Sequence, residues 1–379
     1  MSLAYKMNKG FVAMGNVPAI PVGDMVKMLS EMYSSVINKG LALSVLPSVM
    51  LWGPPGVGKS QGVMQIAAEL EKKTGKKCNV TDVRLLLFNP IDLRGIPTAN
   101  EDKTLAVWLR PQIFNMDPSE EVINILFLDE ISAAPQSVQA AAYQITLDRK
   151  VGEHIFPENC LVIAAGNRVT DKSVASKMPK ALANRMLHIE TQVNAKAWHD
   201  WAVSKGINEK VLGFLAFKPD YLIHFDTSTD DLAFPTPRAW EMVSNLLNNL
   251  DADIADVLPL VSGIIGSGAA VEFKTWANIY DKLPDLERIF DGKEKWVPDT
   301  PDMLYALISA MVRYAYDHRD ETKRIANSIV YADKMPADFS TVLMKDYMNI
   351  EDDYVKKLIR IPEFDKWLRT NGALLNKLK

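Results

Sequence analysis

Gly53-Pro54-Pro55-Gly56-Val57-Gly58-Lys59-Ser60, written GPPGVGKS, fits the pattern GxxxxGK[ST] and lies between an apolar run, Ser48 to Trp52, and a helical pattern. Strand, glycine-rich turn and helix in that order read as a phosphate-binding loop. The glycines let the backbone turn with its N–H groups pointing inward. Together with the positive end of the following helix they can hold di- and triphosphate oxygens. Lys59 would then reach the β and γ phosphates, and Ser60 would offer its hydroxyl to Mg²⁺. Out of that context the octet would be a Gly/Pro-rich turn with a surface lysine.

Outward from this loop, residues 47 to 190 alternate short apolar runs with longer helical patterns, as an αβα sandwich around a mostly parallel sheet does. Five strands are predicted: Ser48 to Trp52, Asn79 to Phe88, Val122 to Leu128, Leu161 to Ala165 and Met186 to Glu190. Several are unbroken apolar runs, which suits strands covered on both faces. After residue 192 strand signals vanish and apolar residues recur at helical spacing. Trp198, Trp201 and Ala202 form one stripe, closed by Gly206. Thr236-Pro237 opens a second helix with Trp240, Val243, Leu247 and Leu250 along one side, and Thr300-Pro301 opens another through Leu304, Leu307, Ile308 and Met311. The expected organisation is an N-terminal segment (1–46), an α/β core (47–192), a helical lid (193–255) and a helical C-terminal block (256–379). In the first segment Met25, Met28, Leu29, Met32 and Val36 make an amphipathic stripe, read as a helix packed on the core rather than a methionine-based binding surface.

Three further positions carry chemistry. The apolar run Val122 to Leu128 ends in Asp129-Glu130, and adjacent carboxylates at a buried strand's end are costly unless something positive is near. Beside a bound phosphate chain, Asp129 would hold the Mg²⁺ shell and Glu130 would orient and deprotonate the attacking water; alone, Asp-Glu is also an ordinary solvated strand end. Asn167 follows the strand Leu161 to Ala165, where an amide could position water beside the γ phosphate, although Gly166-Asn167 by itself reads as a turn. Arg238 falls in the first turn of the helix opened by Thr236-Pro237, where the helix dipole disfavours a cation by a few tenths of a kcal/mol. A nearby anion would remove that conflict, either a nucleotide phosphate or a carboxylate such as Asp230 or Asp231. Arg185 reads simply as an exposed arginine.

Composition narrows the partners. Lys plus Arg number 43 against 47 for Asp plus Glu, a net charge of −4, so no global field draws this chain of 379 residues to nucleic acid or anionic membrane. The longest nearly apolar stretch, Val257 to Val271, contains Pro259 and falls short of the roughly 20 residues that span a bilayer; it reads as buried helix. The first twenty residues hold no continuous apolar run, so the expected compartment is the cytoplasm. Cys78 and Cys160 have neither disulfide-framework nor zinc spacing and read as buried fillers.

Taken together, GPPGVGKS, LFLDEISAAP, IAAGN, MPKALANRM and FPTPRAWE resemble the AAA+ ATPases, specifically the MoxR-like group, over roughly residues 20 to 250. The resemblance implies a phosphate-loop AAA+ αβα sandwich with a parallel five-stranded sheet, an all-helical lid and a further helical block. ATP and Mg²⁺ are the implied cofactors, bound by Gly53 to Ser60 and the adjoining Gln61. Asn167 is implied to be sensor 1, Arg185 an arginine finger facing a neighbouring subunit's nucleotide, and Arg238 sensor 2, touching its own subunit's nucleotide or the neighbour's. Residues 89–109 and Arg149 to Asn159 match the family's two inserts, expected to project towards a ring pore.

The expected function is therefore that of an ATP-hydrolysing ring machine, a hexamer in expectation, that remodels a protein partner. By similarity to MoxR-like proteins, that partner is one with a von Willebrand factor A domain. The alternative is a nucleic-acid-stimulated motor or loader. Against it, the first insert sets Arg94 and Lys103 against Asp92, Glu101 and Asp102, a poor surface for tracking phosphates. Neither membrane nor nucleic acid is an expected partner. A scaffold that binds ATP without hydrolysing it would have no need of Glu130.

Overall fold

The computed structural model describes residues 17–168, 178–224, 231–250, 253–351 and 353–375, and the chain divides after Val193 into two compact units. Met1 to Leu3 and most of the N-terminal segment before α1 lie outside the described residues. The first unit holds six parallel strands, β1 (Ala19–Pro21), β2 (Val49–Trp52), β3 (Lys77–Arg84), β6 (Val122–Asp129), β9 (Cys160–Gly166) and β10 (Leu187–Gln192). Two antiparallel hairpins interrupt the series, β4 (Ile96–Ala99) with β5 (Ala106–Leu109) and β7 (Lys150–Val151) with β8 (His154–Ile155). Across the sheet the order is β1-β10-β2-β9-β6-β3.

All five predicted strands are present, and the sixth, β1, is a three-residue edge strand that ends on Pro21. An edge is where proline is tolerated in a sheet, and so short a segment shows no period of its own. The run Asn79 to Phe88 stays extended only to Arg84; Leu85–Leu87 turns as a 3-10 helix and leaves Leu87 exposed.

Alternation along the central strands fills two core layers. Met50, Leu126, Leu128, Val162 and Ala164 point to one face, where they meet α3 (Pro90–Arg94) and α4 (Gln136–Asp148). Leu51, Ile125, Phe127, Leu161 and Ile163 point to the other, covered by α1 (Val22–Asn38) and α2 (Lys59–Thr74). Both faces are dry, which is why these strands read as unbroken apolar runs. Helices α1 and α2 meet closely: a Cβ on Gly62 would lie 2.6 Å from Met25 Cε. Within α1, Met25, Val26, Leu29, Ser30, Tyr33 and Ser34 are buried whereas Met28 is exposed, so the packed face is displaced from the methionine pattern. A short helix, α5 (Lys180–Ala183), leads into β10.

The second unit is helical. It runs through α6 (Ala195–Ser204), α7 (Glu209–Phe217), α8 (Pro237–Asn249), α9 (Ile254–Ile265), α10 (Ser267–Ala277) and α11 (Leu286–Phe290). It continues with α12 (Pro301–Asp317), α13 (Thr322–Ala332), α14 (Ala337–Met348), α15 (Tyr354–Leu358) and α16 (Pro362–Leu375). Phe214 of α7 is the hub, with ring centroids 5.4 Å from both Trp240 and Phe273 and 5.8 Å from Trp276. Gly213 lets α7 approach α12, since a Cβ there would lie 2.6 Å from Ser309 Oγ. Helices on both sides of residue 255 thus share one core. Thr236 caps α8 by accepting from the Ala239 N–H at 3.0 Å; Trp240 and Val243 are buried, but Leu250 is exposed. The apolar stretch Val257 to Val271 is not one helix: Gly266, at φ +82°, breaks it between α9 and α10. Among the described residues no helix is long and apolar enough to cross a membrane. Cys160 is buried as expected of a filler, whereas Cys78 is only half-buried.

Candidate active site

Because the strands are parallel, Trp52, Asp129, Gly166 and Gln192 all end on one edge of the sheet. The sequence-predicted residues of the first unit gather there, Arg185 excepted. From Trp52 the chain enters the loop, where Gly56 and Gly58 take φ +77° and +97°, left-handed values that favour glycine. At Gly53 the need is space: a Cβ would lie 2.4 Å from Thr191 Oγ1, which itself donates to Trp52 O at 2.8 Å. Val57 is buried, Pro55 is exposed, and α2 starts at Lys59 with Gly58 as its cap, so its unpaired N–H groups face the loop. Gln61 is exposed in the first turn of α2.

Lys59 is 8% exposed, and its ammonium donates to Gly53 O at 2.6 Å, Pro54 O at 3.0 Å and Asn167 Oδ1 at 3.0 Å. The lysine of the loop and the amide at the end of β9 therefore already touch. Next to it, Ser60 Oγ donates to Asp129 Oδ2 at 2.8 Å. The other Asp129 oxygen accepts from the Glu130 N–H at 2.9 Å.

Glu130 has φ +59°, a left-handed backbone that costs a residue with a Cβ about 1–2 kcal/mol. Its neighbours hold it there: Ile131 N–H donates to Ala165 O and Ala133 N–H to Glu130 O, both at 3.0 Å. Strain maintained at a strand end by surrounding hydrogen bonds is the kind found at functional sites. Ser132, which the sequence reading missed, is buried and accepts the Asn167 N–H on its Oγ at 2.9 Å. A Cβ on Gly166 would lie 2.8 Å from that oxygen, so the glycine makes the contact possible. One buried hydroxyl thus ties the carboxylate turn to the asparagine.

Residues 49–192 match the family described as "ATPase family associated with various cellular activities (AAA)". They form an AAA ATPase-family domain. No curated protein sequence matches the chain. Among solved structures it is similar to a RuvB variant of Thermotoga maritima, at 18% identity over 77% of this chain and 83% of that one, with a TM-score of 0.36. It is also similar to PCH-2 of C. elegans, at 15% identity over 68% and 67% of the two chains, with a TM-score of 0.33. At these scores the likeness transfers no activity.

A nucleotide fits the AAA domain's donor set. The helix start and loop N–H groups suit phosphate oxygens, and Ser60 Oγ with the Asp129 carboxylate makes an all-oxygen pair of the kind Mg²⁺ prefers. Negative charge gathers on this edge: burial, and after it the Asp129 carboxylate, raises the Asp82 carboxyl above its ordinary range, with Arg84 opposing. Two other features of the domain were not visible in the sequence. Arg168 and Glu190, both buried, form an ion pair from the end of β9 to β10. His188 accepts from Trp52 Nε1 at 2.9 Å on Nδ1, which leaves its Nε2 as the donor to Ala183 O at 2.7 Å. That neutral tautomer anchors α5, and with it the turn that carries Arg185.

Arg185 itself is exposed and lies at the opposite edge of the domain's sheet. It precedes Leu187, which pairs with Val49 at the start of β2, and it lines a cavity with Ser48 and Cys160, residues at the amino ends of β2 and β9. From the level of Leu187 to that of Trp52 is three residues of strand, roughly 10 Å, with the sheet between. Arg238 lies in the other unit, exposed in the first turn of α8. Of its two candidate carboxylates, Asp231 is exposed and Asp230 lies outside the described residues. The two predicted inserts both contain hairpins, β4–β5 and β7–β8.

Proposed function

We propose that the chain is a Mg²⁺-dependent ATPase of the MoxR-like kind, working as a ring in which each active centre is completed by the next subunit, and that it remodels a protein partner. The observation that carries this reading is the meeting of Lys59, Ser60, Asp129, Glu130 and Asn167 at one sheet edge while Arg185 stands at the other.

In this reading the loop N–H groups and Lys59 grip the phosphates. Ser60 and Asp129 would hold Mg²⁺, which when bound withdraws charge from the phosphate oxygens. Glu130 accepts a proton from the attacking water, and Asn167 orients that water through its amide. Lys59 exchanges its present acceptors, the loop carbonyls and Asn167, for phosphate oxygens, which frees the amide for that task. Arg238 acts as sensor 2. The two hairpins support the MoxR-like assignment, with their tips turned to the ring pore. A hexamer, a cytoplasmic location and a von Willebrand factor A domain partner complete the reading.

Arg185 stands at the opposite edge of the sheet from Lys59, so in this reading the finger comes from the neighbouring subunit and a monomer lacks that one cation of its transition state. ATPase activity per subunit should therefore rise with protein concentration and level off once rings are complete. Activity strictly proportional to protein over a hundredfold range would count against the shared centre. In the same assay added DNA or RNA should leave the rate unchanged; strong stimulation would mark a nucleic-acid motor instead. Affinity capture on Glu130→Gln protein with ATP should retain the partner.

A further inference from the structure

In the helical unit a cavity of about 370 Å³ lies between α6, α7 and α14. Leu215, Ala216, Pro219 and Val342 give it an apolar floor. Its polar rim comes from α6 (Lys196, His199, Asp200) and α14 (Lys345, Asp346), while α7 and Pro219 bring no titratable group to it. Nothing in the ATPase reading uses these residues.

Two of the cations are committed. His199 Nε2 lies 2.9 Å from Oδ2 of Asp346, whose side chain is 2% exposed, and Lys345 is paired with Asp200. Burial works against charge on His199, but Asp346, aided by Asp200 and opposed by Lys345, outweighs it and raises the imidazole's pKa. Lys196 is different. Among the described residues no carboxylate stands within ion-pair distance of it, and burial, then the Lys345 charge, lowers its pKa, with Asp200 opposing. Asp346 is matched by His199 and Asp200 by Lys345, which leaves Lys196, among the described residues, as the rim's one positive charge without a paired carboxylate over an apolar floor. Such a cavity, mostly apolar with a few placed polar groups, has the character of a ligand site.

We propose that this cavity binds an aliphatic monocarboxylate, its hydrocarbon end on Leu215 and Val342 and its carboxylate on Lys196. A single negative charge balances the rim. A phosphate monoester, with close to two, would leave an uncompensated charge beside the apolar floor, and an organic cation would add to the excess. The site is independent of the phosphate loop, so neither assignment falls with the other.

Calorimetric titration of the full chain with 4-methylpentanoate, to about 10 mM because so small a ligand binds weakly, tests it. We expect saturable binding, at least about tenfold tighter than 4-methylpentyl phosphate or the matching trimethylammonium ion. Lys196→Gln should weaken it by about tenfold and Lys196→Arg should restore it, since a charge-assisted contact is lost and regained. Lys196 is exposed, so unchanged thermal melting is the folding control. Absence of binding, equal affinity for the phosphate, or indifference to Lys196→Gln would overturn the proposal. A capped peptide ending in leucine separates the two sources of such a carboxylate. Tighter binding than 4-methylpentanoate, lost on amidation, identifies a protein carboxyl terminus; no gain identifies a free acid.

Discussion

Glu130→Gln protein should bind ATP as the unaltered chain does and hydrolyse it about 10²–10⁴-fold more slowly, the range a positioned general base contributes. The substitution keeps the side chain's size and its place at the end of β6 but replaces the carboxylate that accepts the water's proton with a far less basic amide. It also leaves the neighbouring Ser60–Asp129 contact untouched, so binding and turnover should separate cleanly. The left-handed backbone of Glu130 is held by main-chain bonds at Ile131 and Ala133 that do not involve its carboxylate, so glutamine can adopt it equally well. Single-turnover rates on ATP-saturated protein, alongside nucleotide affinity, check this. Unchanged turnover would remove Glu130 from the role of base.

Arg185→Ala should cost about 10³–10⁵ in turnover, the worth of an arginine finger in related phosphate loops. The fold should survive, because the side chain is exposed and the turn beneath it is held by His188 and its bond to Ala183 O. The decisive form of the experiment mixes two inactive proteins. In a ring of Arg185→Ala and Glu130→Gln subunits, some interfaces place an intact Glu130 opposite an intact Arg185, and those should hydrolyse ATP. Activity should peak at an intermediate ratio. No recovery at any ratio would count heavily against a finger acting between subunits.

What could be read from sequence was what is contiguous. GPPGVGKS, the apolar run closing on Asp129-Glu130, and the strand before Asn167 each carry their meaning within a few residues, because the edge of a parallel sheet collects strand ends whatever lies between them. What stayed hidden depends on contacts between distant segments. Ser132 bonds the Asn167 N–H, Arg168 pairs with Glu190, and Trp52 meets His188, none of which has a local period. Strand β1 was missed because three residues bounded by proline show no alternation, and the break at Gly266 was masked by apolar residues on either side of it. The rim of the helical cavity joins α6 to α14 across most of the second unit, beyond the reach of any spacing argument.

Titration of ATP with Mg²⁺ into the unaltered chain and into Lys59→Ala tests the account at its root. The ammonium that now bonds Gly53 O, Pro54 O and Asn167 Oδ1 should turn to phosphate, so the unaltered chain should release heat and saturate at one nucleotide per subunit, whereas Lys59→Ala should give none. Equal heats from the two proteins, or none from either, would contradict it.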